Sequence, residues 1–236
     1  MDLSKYQAMV DKRMELKPFP ISDEELCNRY EELYTGAVND VLREDGFLQQ
    51  TIPNNITPLR DEMKVCGIAF TVKGAPNLTL ENEMEFRAEM LEAIPANSVV
   101  VWDTSGDTES AQWGEIMTLA ARKRGCRGAV VDGGIRDTNM VLSQNFPVFC
   151  KYRSSNGMLG RFRMISYQTP IVLGSVSIYP GDVVFGDIDG VLVIPRSYAY
   201  DILLRAEEII RNEVGIRLMV DSGMSPKKVV EKGGYF

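Results

Sequence analysis

Glu115, Arg136 and Asp137 are the residues of this chain whose types and spacing could do chemistry: an acid, twenty intervening residues, then Arg-Asp. Two hard oxygen ligands suit Mg2+ or Mn2+, cations that keep several waters and bind through one or two carboxylates plus substrate oxygens. The guanidinium can grip a carboxylate or carbonyl oxygen in fork geometry. The plainer alternative is a turn with a local ion pair after a strand, and a Glu that stabilises a helix dipole. The chain contains no histidine. That excludes a Ser-His-Asp triad, a Cys-His pair, His-ligated zinc or iron and an imidazole base. Cys27, Cys66, Cys126 and Cys150 show no C-x-x-C spacing, so they read as small buried hydrophobes in a reducing cytoplasm.

The elements that must position these groups are legible as a βαβ unit. Ser98 to Trp102 is a near-continuous apolar strand, a helix runs from about Trp113 to Arg124 and is closed by Gly125, and Gly128 to Asp132 is a second buried strand. A helix of about 12 residues rises ~18 Å and a returning strand of about six spans ~20 Å, so the chain after the strand ends near the helix start. Glu115 is thereby expected beside Arg136 and Asp137, in the crevice outside the carboxyl ends of parallel strands where open α/β sheets bind ligands. The free N–H groups of Trp113, Gly114, Glu115 and Ile116 would suit a carboxylate there, and Gly114 would permit close approach. Asp103 ends a strand facing the same crevice. Asp182, Asp187 and Asp189 read as turn residues.

Around this unit the expected architecture is α/β: layered central sheets flanked by helices, in one domain over residues 1–236. N-terminal helices are expected over about 4–45, with Tyr6, Met9, Val10 and Met14 at helical spacing and a capping box at Ser22 and Glu25. Short strands begin at Val65, and a helix over Glu81 to Ala93 leads to the Ser98 strand. The last third reads as mostly antiparallel strands, Val148 to Tyr152, Phe162 to Ser166, Ile171 to Val176 and Val191 to Pro195, before a C-terminal helix over about 198–220. Asp45 to Pro58 reads as a polar connection, and Thr35 as a helix cap. The net charge of -7 offers no overall attraction for phosphate backbones, so no nucleic-acid partner is expected. No apolar run approaches the ~20 residues of a membrane span, and Met1 to Lys5 lacks a signal-peptide core, which points to a cytoplasmic protein.

Trp113-Gly114-Glu115, Gly128 to Asp137, Phe146 to Phe149 and Pro180 to Pro195 together resemble, in order and spacing, the family of 4-hydroxy-4-methyl-2-oxoglutarate aldolases and regulator of ribonuclease activity A-like proteins. The resemblance covers roughly residues 30 to 220 and implies the ribonuclease-regulator-like fold. It implies a lyase: a divalent-metal-dependent aldolase that cleaves a 4-hydroxy-2-oxo acid to pyruvate and a second carbonyl compound, with oxaloacetate decarboxylase side activity. By the same resemblance Asp137 is the direct metal ligand, Glu115 an outer ligand and Arg136 the substrate-orienting cation. Residues 113 to 116 form the pyruvyl carboxylate cradle. Glu115 stands where the hallmark more often has Asp, a longer side chain that could shift contact from water-mediated to direct. The family implies self-association as a trimer or dimer of trimers, with a further acid from a neighbour's C-terminal helix, matched here by Glu213 and secondarily by Glu208. The rival reading is a non-catalytic binding protein like the ribonuclease regulators; a third is another metal-enolate enzyme acting on a sugar-derived acid.

Overall fold

Apolar residues run almost unbroken along the central strands, so that both faces of the sheet are buried, and that pattern sets the architecture. The computed structural model describes residues 3–80 and 83–234. The elements are α1 Ser4–Met14, α2 Asp23–Glu31, α3 Thr35–Glu44, β1 Thr57–Pro58, β2 Val65–Pro76, α4 Met84–Ala93, β3 Ser98–Asp103, β4 Ala111–Trp113, α5 Glu115–Lys123, β5 Gly128–Ile135, α6 Thr138–Ser143, β6 Val148–Arg153, β7 Phe162–Tyr167, β8 Ile171–Leu173, β9 Val176–Ile178, β10 Val183–Asp187, β11 Gly190–Ile194, α7 Ala199–Asp221 and α8 Pro226–Glu231. One sheet carries the order β1-β6-β5-β3-β2-β10-β11, with β4 added to β5 and β7 to β2; β8 and β9 form a separate hairpin. The result is a mixed α/β fold, a nearly closed barrel with flanking helices.

Inward-pointing Val99, Val101, Val130, Phe149, Val184 and Val193 pack with Ile171, Leu173, Val176 and Ile178 of the hairpin in one core. Their outward neighbours divide between two helical layers. Val100, Trp102, Val131 and Cys150 pack with Met90, Ala121 and Val141 of α4 to α6, whereas Phe185, Leu192 and Ile194 pack with residues of α2, α3 and α7. All four cysteines are free and buried as expected. Burial pushes the Cys150 thiol up to about 11, so it stays protonated and unreactive.

Several expectations are corrected. The 45–58 stretch is more than a connection. Ile52 N–H donates to Val191 O, Val193 N–H donates to Gln50 O, and Thr51 bridges Leu192. Thr57 and Pro58 pair with β6, so the segment spans both free edges and closes the barrel. β6 runs parallel to β5, because α6 supplies a crossover that no strong periodicity announced. Ile171 to Val176 is a hairpin, since Gly174 turns at φ 61°. Ser22 does cap α2, accepting from Glu25 N–H. The cap of α3 comes from far away: Asp187 accepts from both the N–H and the hydroxyl of Thr35. The side chains of Tyr6, Met9 and Met14, and residue Glu81, lie outside the described residues.

Candidate active site

β4 lies against the end of β5, Trp113 pairing with Ile135, and Arg136 N–H donates to Trp113 O at 3.0 Å. The chain leaves β4 through Gly114, the N-cap of α5, and leaves β5 through Arg136 into Asp137, the N-cap of α6. Glu115, Arg136 and Asp137 therefore flank one point, as the βαβ lengths predicted. Gly114 is extended; it is glycine because of space. A Cβ there would meet Asp137 Oδ2 at 2.9 Å and Arg136 Cγ at 3.4 Å. A Cβ at Gly157 would meet Arg136 Nη1 at 3.0 Å, so the loop after β6 lies close over the guanidinium. Asp137 adopts left-handed backbone, φ 54° and ψ 32°, a conformation that Asp tolerates better than most residues. Its carboxylate is held loosely. Arg136 Nε stands 3.6 Å from Asp137 Oδ2, and the two side chains are 51% and 44% exposed.

The expected cradle shifts by one residue, because Trp113 belongs to the sheet and α5 opens at Glu115. The first intrahelical bond is Thr118 N–H to Gly114 O, so the amides without an acceptor one turn below are those of Gly114, Glu115, Ile116 and Met117. Trp113's indole points into the core, donating to Thr118 Oγ1 at 2.8 Å and stacking on Phe146. Ile116's side chain is exposed. Glu115 is fixed by its backbone, whose carbonyl accepts from Gln144 Nε2, while its carboxylate stands half-exposed in the first turn.

Glu213 is not brought to this crevice within the chain. On α7 it accepts from Tyr34 Oη at 2.5 Å and from Arg217 at 2.9 Å. Glu208 pairs with Arg205 on the same helix. Among the described residues no three His, Cys, Asp or Glu converge in a set that could hold a metal ion. The donor chemistry still fits a hard, hydrated cation: a half-exposed Asp137 with oxygens open to solvent, and Glu115 beside it.

A second set of groups escaped the sequence reading. Lys73 pairs with Asp103 at 2.6 Å, and Lys151 pairs with Asp132. Each follows an outward apolar residue of its strand (Val72, Trp102, Val131 and Cys150), so strand register sets them in one row across β2, β3, β5 and β6, facing the barrel interior. Asp103 therefore does not face the crevice: it accepts from Lys73 and from Ser105 N–H. Burial raises the Asp132 carboxyl above the ordinary Asp value, with Lys151 opposing it. Only the cross-strand register reveals this row.

With the geometry in hand, the chain can be placed among known proteins. The RraA-like family model, described as Aldolase/RraA, matches residues 35–193, and the chain belongs to this family. It is 32% identical over 209 residues to a Halalkalibacterium halodurans protein provisionally named 4-hydroxy-4-methyl-2-oxoglutarate aldolase, covering 88% of this chain and 95% of that one. Legionella pneumophila protein DlpA is 32% identical over 164 residues; the match covers 70% of this chain but only 26% of DlpA. Among solved structures, one described as belonging to novel cellulases from gut-associated microbes is 51% identical, with a TM-score of 0.86, covering 91% of this chain and 96% of that one. Streptomyces coelicolor RraAS2, described as an unusual member of the RNase ES inhibitor RraA family, is 26% identical, with a TM-score of 0.74, over 85% of this chain and 99% of that one. No helix among the described residues is long and apolar enough to cross a membrane.

Proposed function

We propose that this chain is a divalent-metal-dependent aldolase that cleaves a 4-hydroxy-2-oxo acid to pyruvate and a second carbonyl compound, with oxaloacetate decarboxylation as a side activity. The observation that carries the reading is the close approach at Gly114, where the amide end of α5, the Arg136 side chain and the Asp137 carboxylate meet, a Cβ on Gly114 falling 2.9 Å from Asp137 Oδ2. A carboxylate seated on the Gly114 to Met117 amides lies within reach of the guanidinium, the arrangement a 2-oxo acid requires. Arg136 orients the 2-oxo and carboxylate oxygens and opposes the negative charge that grows as the C3–C4 bond breaks. Asp137, with Glu115 as outer ligand, would hold Mg2+ or Mn2+, which when bound would supply electrophilic stabilisation of that charge. The C4 hydroxyl proton would pass to a carboxylate or to water at the site. Lys123 lies at the far end of α5 and Lys73 and Lys151 are ion-paired inside the barrel, so none of these three lysines is offered for a Schiff base.

Self-association, as a trimer or dimer of trimers, completes the site in this reading. The first half of α7 buries Ile202, Leu203, Ala206 and Ile209, but Val214, Leu218 and Val220 in its second half are exposed, as are Ile116 and Met140 beside the crevice. A second copy would cover both patches and bring Glu213 to its neighbour's Asp137.

The test is pyruvate release from a panel of 4-hydroxy-2-oxo acids and oxaloacetate, with Mg2+, with Mn2+ and with chelator. At least one substrate should turn over, lose activity in chelator and regain it on metal addition. Full turnover in metal-free protein would remove the cation from the mechanism. Reducing ends released from cellulose oligosaccharides with no pyruvate formed would instead assign the crevice to the cellulase activity for which the 51%-identical structure is described. Mixed oligomers of Glu213→Ala and Asp137→Ala should recover part of the activity; none, despite demonstrated mixing, would put each site within one chain.

A further inference from the structure

β5 reaches the crevice through a defect. Its pairing with β6 shifts register between Val131 and Gly134, and the pairing of β4 with β5 shifts between Ala111 and Trp113. Such bulges break the ladder locally and re-aim the residues that follow. A single buried side chain fills this one. Gln112 on β4 is 1% exposed; its Oε1 accepts from Gly134 N–H at 2.9 Å, and its Nε2 donates to Asp107 Oδ2 at 2.6 Å. Asp107 also accepts from Ser110 N–H at 2.8 Å and lies 3.2 Å from Tyr152 Oη. Burial pushes the Tyr152 phenol well up, so its hydroxyl stays a donor. A Cβ at Gly133 would collide with Gln112 Oε1, and one at Gly134 with the Tyr152 ring. The two glycines are therefore shaped around Gln112 and Tyr152, immediately before Ile135, Arg136 and Asp137.

We propose that Gln112 is a positioning residue for the crevice: its amide pins the Gly133-Gly134 bulge and so sets the pose of Arg136 and Asp137 against the Gly114 to Met117 amides. Gln112 is suited to this because the same strand that carries it continues into those amides, so one side chain ties both halves of the site together. The catalytic consequence rests on the aldolase reading above; the structural one does not. A merely solvent-excluding role would be filled by any residue of similar volume. The positioning role requires a donor toward Asp107 and an acceptor toward Gly134 at once.

The experiment uses Gln112→Met and Gln112→Glu in the full chain. Gln112→Met keeps the volume and removes both polar atoms; Gln112→Glu keeps the acceptor toward Gly134 and sets a second carboxylate against Asp107, whose Oδ2 also accepts from Ser110 N–H. Two readouts are taken, kcat/KM for pyruvate release with saturating Mg2+, and amide hydrogen exchange over residues 133–137, which needs neither substrate nor metal. Each variant should lower kcat/KM about 10- to 100-fold, the range of outer-shell partners, and speed exchange in that segment while β2 and β3 keep their protection. Unchanged exchange in a folded Gln112→Met overturns the proposal, because volume alone then suffices; if that variant does not fold, unchanged exchange in Gln112→Glu overturns it. In the parent the Gly134 amide should itself be protected, and an unprotected Gly134 overturns the proposal whether or not either variant folds. Absence of pyruvate release in the parent protein refutes the aldolase reading alone, and the exchange comparison still decides the role of Gln112.

Discussion

Asp132 and Asp137 stand five residues apart, on and just beyond one strand, and the protein treats them oppositely. Asp132 is buried, ion-paired to Lys151 and flanked by the Lys73–Asp103 pair. Asp137 is half-exposed in strained left-handed backbone, with one long contact to Arg136. The difference lies in commitment. A buried carboxylate must be partnered by the chain itself or its desolvation is uncompensated, and a carboxylate so partnered has little left for a ligand. An acid meant for a cation or substrate has to remain under-partnered, and solvent exposure is what makes that tolerable.

The sharpest way to break this comparison is Asp137→Asn. On the aldolase reading proposed above, which makes Asp137 the direct metal ligand, activity should fall at least about 1,000-fold, while the urea midpoint should move by less than the equivalent of about 0.5 kcal/mol, as for other exposed positions. Glu115→Gln should cost less activity, because an outer ligand loses orientation only; the reverse order would make Glu115 the direct ligand.

Asp132→Ala should do the opposite. Stranding Lys151 in the barrel mouth should destabilise the fold by about 3 kcal/mol in urea titrations, the low end for a broken buried pair. The pH dependence of this group carries its own sign. Its folded pKa is raised, so the native state binds more protons than the unfolded chain between the ordinary Asp value of about 3.9 and the raised one. The stability contributed by Asp132 is therefore greatest below that window and is lost as pH rises through it. The stability difference between parent and Asp132→Asn should shrink from pH 3.5 to 7; a difference that grows with pH would mean that Lys151 outweighs burial.

Arg136→Lys should lower kcat/KM by at least about 100-fold with the fold intact, since an ammonium cannot reproduce a planar two-oxygen grip. Near-normal kinetics would reduce Arg136 to an ion-pair partner of Asp137.

Much of the candidate site's geometry is legible in the sequence because it is local. Glu115 and the Arg136-Asp137 pair belong to one βαβ unit, and helix and strand lengths are enough to bring them together. What could not be read depends on register and long-range pairing. Nothing in the sequence near Lys73 points to Asp103, and Gln112 looks like an ordinary polar residue until its side chain is seen to accept from Gly134 N–H. The cap of α3 misled for the same reason: Thr35 sits where a capping residue belongs, yet its partner Asp187 arrives from the far side of the barrel. β6 was expected to be antiparallel because α6 is six residues long, too short for its periodicity to announce a crossover.

The barrel's seam has a temporal side. Thr51 closes on Leu192, a pairing across more than half the chain. During synthesis the closing segment can pair with β6, but it cannot shut the barrel until β11 has left the ribosome. Until then the β2 edge that β10 will cover remains open, and its unpaired amides are available to other chains. Loop-closure entropy makes such a contact a late and slow event. The main walls of the crevice, by contrast, come from residues 111–137, which precede β10 and β11, the strands on which the seam's closure waits. The chain thus builds the walls of its site early and shuts the barrel behind them last.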